Sequence, residues 1–161
     1  MKRALLLVGA GLASGSALAQ DILFDPAPVA KCFAQAEEPR PGCIGDASAL
    51  CQERTEGGTS TYGMVECSAR ETREWDRLLN VEYQALRTRL EAEDDGEGID
   101  RSDALRDAQR AWIAYRDTEC TLQYALYQEG TIRSIVGAGC VLGFTATRTL
   151  ELRAMRQGLL Q

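Results

Sequence analysis

AQRAWIAYRDTEC, residues 108–120, decides the fold of this 161-residue chain. Gln109, Trp112, Tyr115, Arg116 and Cys120 fall in it with no Gly or Pro to interrupt them, so it reads as the middle of a long helix. That helix begins near Ser102, carries Asp103 in its first turn, and runs to about Gln128, with Gly130 as its stop. Leu105, Ala108, Trp112 and Tyr115 mark one face. Ile113, Cys120 and Tyr127 mark an adjacent face that also holds Gln109 and Arg116, and both faces are expected to be covered.

Outward from this helix the pattern repeats. Trp75, Leu79, Tyr83, Leu86 and Leu90 recur at helical spacing and predict an amphipathic helix over about 62–92, capped by Ser60 or Thr61. At about 1.5 Å per residue it is on the order of 45 Å long. A third helix is expected over about 132–159, with Val141, Thr145, Arg148, Leu152, Met155 and Leu159 as its stripe. No segment alternates as a strand does, so the expectation is all-α: a disulfide-stapled bundle of three long helices, residues 61–161, behind a short helical cap, residues 20–60. In the cap, Ala27 to Ala36 and Asp46 to Arg54 are the two short helices, separated by Glu38-Pro39-Arg40-Pro41-Gly42.

Residues 1–19 have the form of an export signal: Lys2 and Arg3, an apolar run from Ala4 to Ala13, and Ala17-Leu18-Ala19 as cleavage site. The run falls short of the roughly 20 apolar residues of a spanning helix. No later segment is expected to reach that length, and Gln20 stands where a lipoprotein has Cys. The reading is therefore a periplasmic or secreted chain without a membrane anchor after cleavage. Removing Lys2 and Arg3 lowers the basic count from 18 to 16 against 24 acids, a net charge of −8. Such a balance argues against nucleic acid and favours a cationic protein partner.

All six cysteines, Cys32, Cys43, Cys51, Cys67, Cys120 and Cys140, lie beyond the signal, and an even set in an exported chain reads as three cystines. Without His or a C-x2-C spacing, no metal site is expected. Cys120 and Cys140 flank Gly130 by ten residues on each side, so an antiparallel hairpin brings them together. For the others, Cys32 with Cys43 and Cys51 with Cys67, or Cys32 with Cys51 and Cys43 with Cys67, both fit, and the first is preferred.

Two polar features stand out. Glu91, Glu93, Asp94, Asp95, Glu97 and Asp100 share one Gly-containing stretch with no basic residue, a solvated turn that also offers a docking surface to a cationic partner. Asp76, Asn80, Gln109, Arg116, Thr145 and Arg148 interrupt apolar stripes. Buried without a partner, each costs about 1–3 kcal/mol, so they are expected to form a network that fixes helix register. Asp76 is expected to pair with Arg116 or Arg148, and Asn80 with Gln109. No residue pattern supplies catalysis: there is no His base, no nucleophile elbow, no metal or phosphate motif, and the chain reads as no enzyme and without a cofactor.

The order Thr61-x-x-Met64-x-x-Cys67, Asp76-x-x-Leu79-Asn80-x-x-Tyr83, Ala108-Gln109-x-Ala111-Trp112-Ile113-x-Tyr115-Arg116-Asp117-x-x-Cys120, Gly130, Cys140 and Thr145-x-x-Arg148-x-x-x-Leu152 resembles the LprI-like lysozyme inhibitor family. The resemblance covers about 61–155 and implies a helical exported domain that inhibits a lysozyme by protein contact. The competing readings are an envelope interaction module with another partner, and a peptidoglycan hydrolase for which no carboxylate pair stands out.

Overall fold

A computed structural model describes residues 21–158. The expected signal, residues 1–19, and Leu159 lie outside the described residues. Five helices follow in order: α1 (Ala27–Gln35), α2 (Asp46–Arg54), α3 (Thr61–Ala92), α4 (Arg101–Leu126) and α5 (Ile132–Gly158). Among the described residues there is no strand, and the three long helices pack together behind α1 and α2.

Three helix starts are fixed by identifiable caps. Ser60 accepts the Gly63 amide at 3.1 Å and caps α3, and Gly63 itself is required there, because a Cβ would stand 2.5 Å from the carbonyl oxygens of Gly57 and Gly58. Asp100 caps α4 by accepting the Asp103 amide at 2.8 Å. At α2 the cap is Gly45, in the left-handed region at φ 103° and with no side chain to offer. The carboxylate of Glu71, from α3, takes its place: it accepts the Gly45 amide at 2.8 Å and the Ser48 amide at 2.7 Å. α4 ends before the expected stop. Gln128, not Gly130, adopts the left-handed conformation, with φ 50°, and Gly130 closes the turn by donating its amide to Tyr127 O at 3.3 Å.

The core runs along the contact of α3 with α5. Trp75 is fully buried among Val29, Cys32, Ala47, Leu142, Ala146 and Leu150, and further along Leu79, Leu86 and Leu90 meet Leu105 and Leu152. The two helices approach closely because α5 offers small residues there, and the Thr149 hydroxyl donates to Trp75 O at 3.1 Å. The buried stripe of α5 is accordingly Leu142, Thr145, Ala146, Thr149, Leu150 and Leu152, whereas the expected Met155 is exposed. Squeezed between α3 and α4, α5 buries a wider arc than one stripe. It is also long and apolar enough, by length and composition alone, to cross a membrane, contrary to the expectation that no later segment reaches that length.

α4 departs furthest from expectation. Only Ser102, Leu105, Gln109 and Cys120 are buried on it; Ala108, Ile113 and Tyr127 are exposed, and Tyr115 is 57% exposed. α4 packs mainly against α5 and meets α3 less extensively, so a single narrow strip is covered rather than two faces.

The cystines are Cys32–Cys43, Cys51–Cys67 and Cys120–Cys140. The first two realise the preferred pairing of the cap, and the third ties α4 to α5 with Cα atoms 5.5 Å apart. α1 is held from the far end of the chain: the Arg153 guanidinium donates to the carbonyls of Phe33 and Ala36 and lies 4.9 Å over the Phe33 ring. A cation at a helix C-terminus also complements the negative end of the helix dipole.

Candidate functional site

The acidic turn is built rather than loose. Glu91 lies 2.9 Å from Arg87 and accepts the Ser102 hydroxyl at 3.0 Å; Glu93 lies 2.7 Å from Arg89 and 4.0 Å from Arg101. Asp94 and Asp95 each bind a backbone amide two residues on, at 2.8 and 3.0 Å, and Gly96 and Gly98 take the positive φ values of 75° and 83° that such tight turning needs. The two glutamates are thus neutralised locally. Asp94, Asp95, Glu97 and Asp100 have no cation within 4 Å among the described residues, and Ile99 beside them is 82% exposed. The end of the hairpin therefore presents four carboxylates and one bare aliphatic side chain to solvent.

Behind the turn, α3 and α4 part around an open groove of about 400 Å³. Asp76, Leu79, Asn80, Tyr83 and Arg87 line it from α3, and Arg106, Gln109, Arg110, Trp112, Ile113 and Arg116 from α4. The groove changes the expected polar network. Asn80 donates to Asp76 at 3.1 Å on its own helix, both residues are exposed, and neither bonds to α4 among the described residues. The expected pairs of Asp76 with Arg116 or Arg148, and of Asn80 with Gln109, do not form, because the two helices stand apart at this level. Polar contacts run instead from α4 to α5. Arg148 donates to Gln109 at 3.0 Å and to Glu151 at 3.1 Å, while Arg116 reaches Asp117 at 2.8 Å and Thr145 at 3.5 Å. Trp112 lies between them, with the Arg116 and Arg148 guanidiniums 5.1 and 5.9 Å from its ring. On the rim, hydrogen bonding to Asp107 and the nearby charge of Asp103 and Asp107 hold the Arg106 guanidinium above its ordinary pKa.

Two buried carboxylates escaped sequence reasoning. Glu71 serves α2 and also accepts the Trp75 indole N–H at 3.0 Å. Glu82, nearly buried on α3, holds Arg156 of α5 through contacts of 2.6 and 3.1 Å, and this hydrogen bonding raises the pKa of Arg156. The signal for Glu71 was its position four residues before Trp75, on the buried face of α3. Among the described residues no group of three or more His, Cys, Asp or Glu is placed to hold a metal ion.

Residues 51–152 match the family model of lysozyme inhibitor LprI. The chain belongs to the LprI lysozyme inhibitor family. The matched span of the LprI domain takes in two of the cystines, the acidic turn and the groove, and leaves out α1 with Cys32–Cys43. Asp76, Leu79, Asn80, Tyr83, Gln109, Trp112, Ile113 and Arg116, by which the chain resembles the LprI family, all line the groove. The chain is also similar to an uncharacterized protein of Rhizobium meliloti (strain 1021), 29% identical over 130 residues that cover 77% of this chain and 85% of that relative. No solved structure matches the chain.

Proposed function

We propose that this LprI-family chain is a periplasmic or secreted binding protein that inhibits a c-type lysozyme by direct contact, without catalysis of its own, through the turn Glu91 to Asp100. Membership of the family supports a lysozyme-inhibitor-like domain. The observation that carries the finer reading is the exposed set Asp94, Asp95, Glu97 and Asp100 at the end of the α3–α4 hairpin, with no cation within 4 Å among the described residues. A cationic enzyme is steered toward such a cluster, and a rigid turn loses little conformational entropy when it docks. Three cystines support a place in an oxidising compartment, and the signal-like residues 1–19 supply the route.

The test is clearance of a bacterial cell-wall suspension by hen-type lysozyme. Molar excess of the oxidised protein is expected to halt clearance, with the inhibition weakening as salt screens the turn. Full clearance in molar excess would contradict the lysozyme reading and favour an envelope interaction module with a different protein partner.

A further inference from the structure

We infer that the groove between α3 and α4 is a binding site for a neutral oligosaccharide of N-acetylated sugars. The observation that points to a ligand is Gln109, which lines the groove although it is only 7% exposed. Its carbonyl oxygen accepts from Arg148 at 3.0 Å, whereas its amide nitrogen has no partner among the described residues and remains accessible. A donor so confined leaves a hydrogen bond unmade until a molecule in the groove accepts it. Across the groove, Asn80 uses its amide nitrogen on one carboxylate oxygen of Asp76. The second Asp76 oxygen, the Asn80 carbonyl and the Tyr83 hydroxyl have no hydrogen-bond partner among the described residues, and all three residues line the groove.

Charge decides the class of ligand. Each guanidinium of the groove is already paired: Arg87 with Glu91, Arg106 with Asp103 and Asp107, Arg110 with Asp107, and Arg116 with Asp117. An anion therefore gains no free cation and meets the Asp76 carboxylate, while a cation meets four arginines. A purely apolar molecule leaves the Gln109 amide unpaired. What fits is a neutral molecule with hydroxyls, carbonyls and apolar faces, and N-acetylated sugars combine the three. Their hydroxyls donate to Asp76 and Asn80, and an acetamido carbonyl accepts from Gln109. Their C–H faces lie against the exposed Ile113 and against Tyr83, whose ring has no aromatic or guanidinium contact among the described residues. The groove, about 400 Å³, has the size of a small-molecule site. This inference rests on the groove alone and not on the lysozyme reading, whose surface is the turn.

Isothermal titration calorimetry of the full oxidised chain with tri-N-acetylchitotriose tests it. Saturable binding of one sugar per chain is expected, little affected by salt because no net charge is exchanged. The double variant Asp76→Ala with Asn80→Ala is expected to bind at least about tenfold more weakly. Both residues are exposed, so its melting temperature is expected to stay at the native value. Gln109→Leu, which keeps the bulk and removes the donor, is expected to weaken binding by a similar factor. The turn variant Asp94→Asn with Asp95→Asn and Glu97→Asn is expected to bind the sugar as the native chain does, which separates this outcome from that of the lysozyme reading. Absence of binding at millimolar sugar, or binding that the Asp76 and Asn80 replacements leave unchanged, overturns the inference. Binding of the neutral peptide acetyl-trialanine amide as tightly as the sugar overturns the oligosaccharide as occupant.

Discussion

Replacing Glu71 by alanine is expected to lower stability by about 3–4 kcal/mol. Glu71 is buried to 1% exposure, and its two oxygens accept the Gly45 amide, the Ser48 amide and the Trp75 indole N–H. Removing the carboxylate leaves three donors without a partner, each worth about 1–3 kcal/mol where water cannot reach. Gly45 is half-buried, so water relieves part of that loss and the sum stays below the upper bound. The variant also leaves the N-terminus of α2 without a side-chain cap, since Gly45 supplies none, and with only Asp46 of its first turn to complement the helix dipole. A melting temperature lower by on the order of 10 °C is the expected reading. Glu71→Gln, which keeps one acceptor oxygen, is expected to lose about half as much. A Glu71→Ala variant that melts with the native protein would mean that the Cys51–Cys67 cystine, the Ser48–Ser68 hydrogen bond and the packing of Ala47 hold α2 without the carboxylate.

The double variant Cys120→Ser with Cys140→Ser is expected to lose about 3 kcal/mol, the chain-entropy contribution of a cross-link spanning 20 residues. Its effect is also expected to be local. Beyond Cys120 every residue of α4 is exposed except the half-buried Gln123, and the connection to Ile132 is exposed as well. The cystine is therefore the principal tie between the end of α4 and α5. Without it, amide exchange should accelerate across residues 121–131 while the Trp75 region, buried among α1, α2, α3 and α5, keeps its protection. Equal acceleration in both regions would show that the bundle unfolds as a unit and that the cystine has no special hold on this end.

Periodicity carried the fold because α3 is strongly amphipathic and has few breakers. Trp75, Leu79, Leu86 and Leu90, read as its buried face, are buried in the structure. The staple from Cys120 to Cys140 followed from the hairpin at Gly130, although the left-handed residue turned out to be Gln128. Periodicity misled on α4. It identifies residues that share a face, but it does not reveal how many neighbours a helix has: Ile113 borders the open groove, and Tyr115 meets α5 only edge-on, its ring 5.6 Å from that of Phe144, and stays 57% exposed. The same blindness affects polar residues within a stripe. Asp76 and Asn80 were read as buried register contacts, whereas they border an open groove, because separation between two helices leaves no mark in either helix's sequence. Glu71 and Glu82 were hidden for the opposite reason: a carboxylate on a charged helix looks solvated unless its partners, here backbone amides of a distant segment and Arg156, are known. The acidic turn was legible as a charge run. Its division into two neutralised glutamates and four carboxylates without a cation among the described residues rests on the i,i+4 pairs Arg87–Glu91 and Arg89–Glu93, which helical spacing already offered, and on Arg101, which only the hairpin brings to Glu93.

We propose that the turn is the surface through which this LprI-family chain meets lysozyme. The most direct test is the lysozyme-inhibition curve of the native protein beside that of Asp94→Asn with Asp95→Asn and Glu97→Asn, at low and at raised salt. Losing three charges is expected to raise the half-inhibiting concentration at least about tenfold at low salt, equivalent to about 1.4 kcal/mol, and to flatten the salt dependence. Native inhibition that survives the triple neutralisation unchanged would contradict the account and move the contact elsewhere on the molecule.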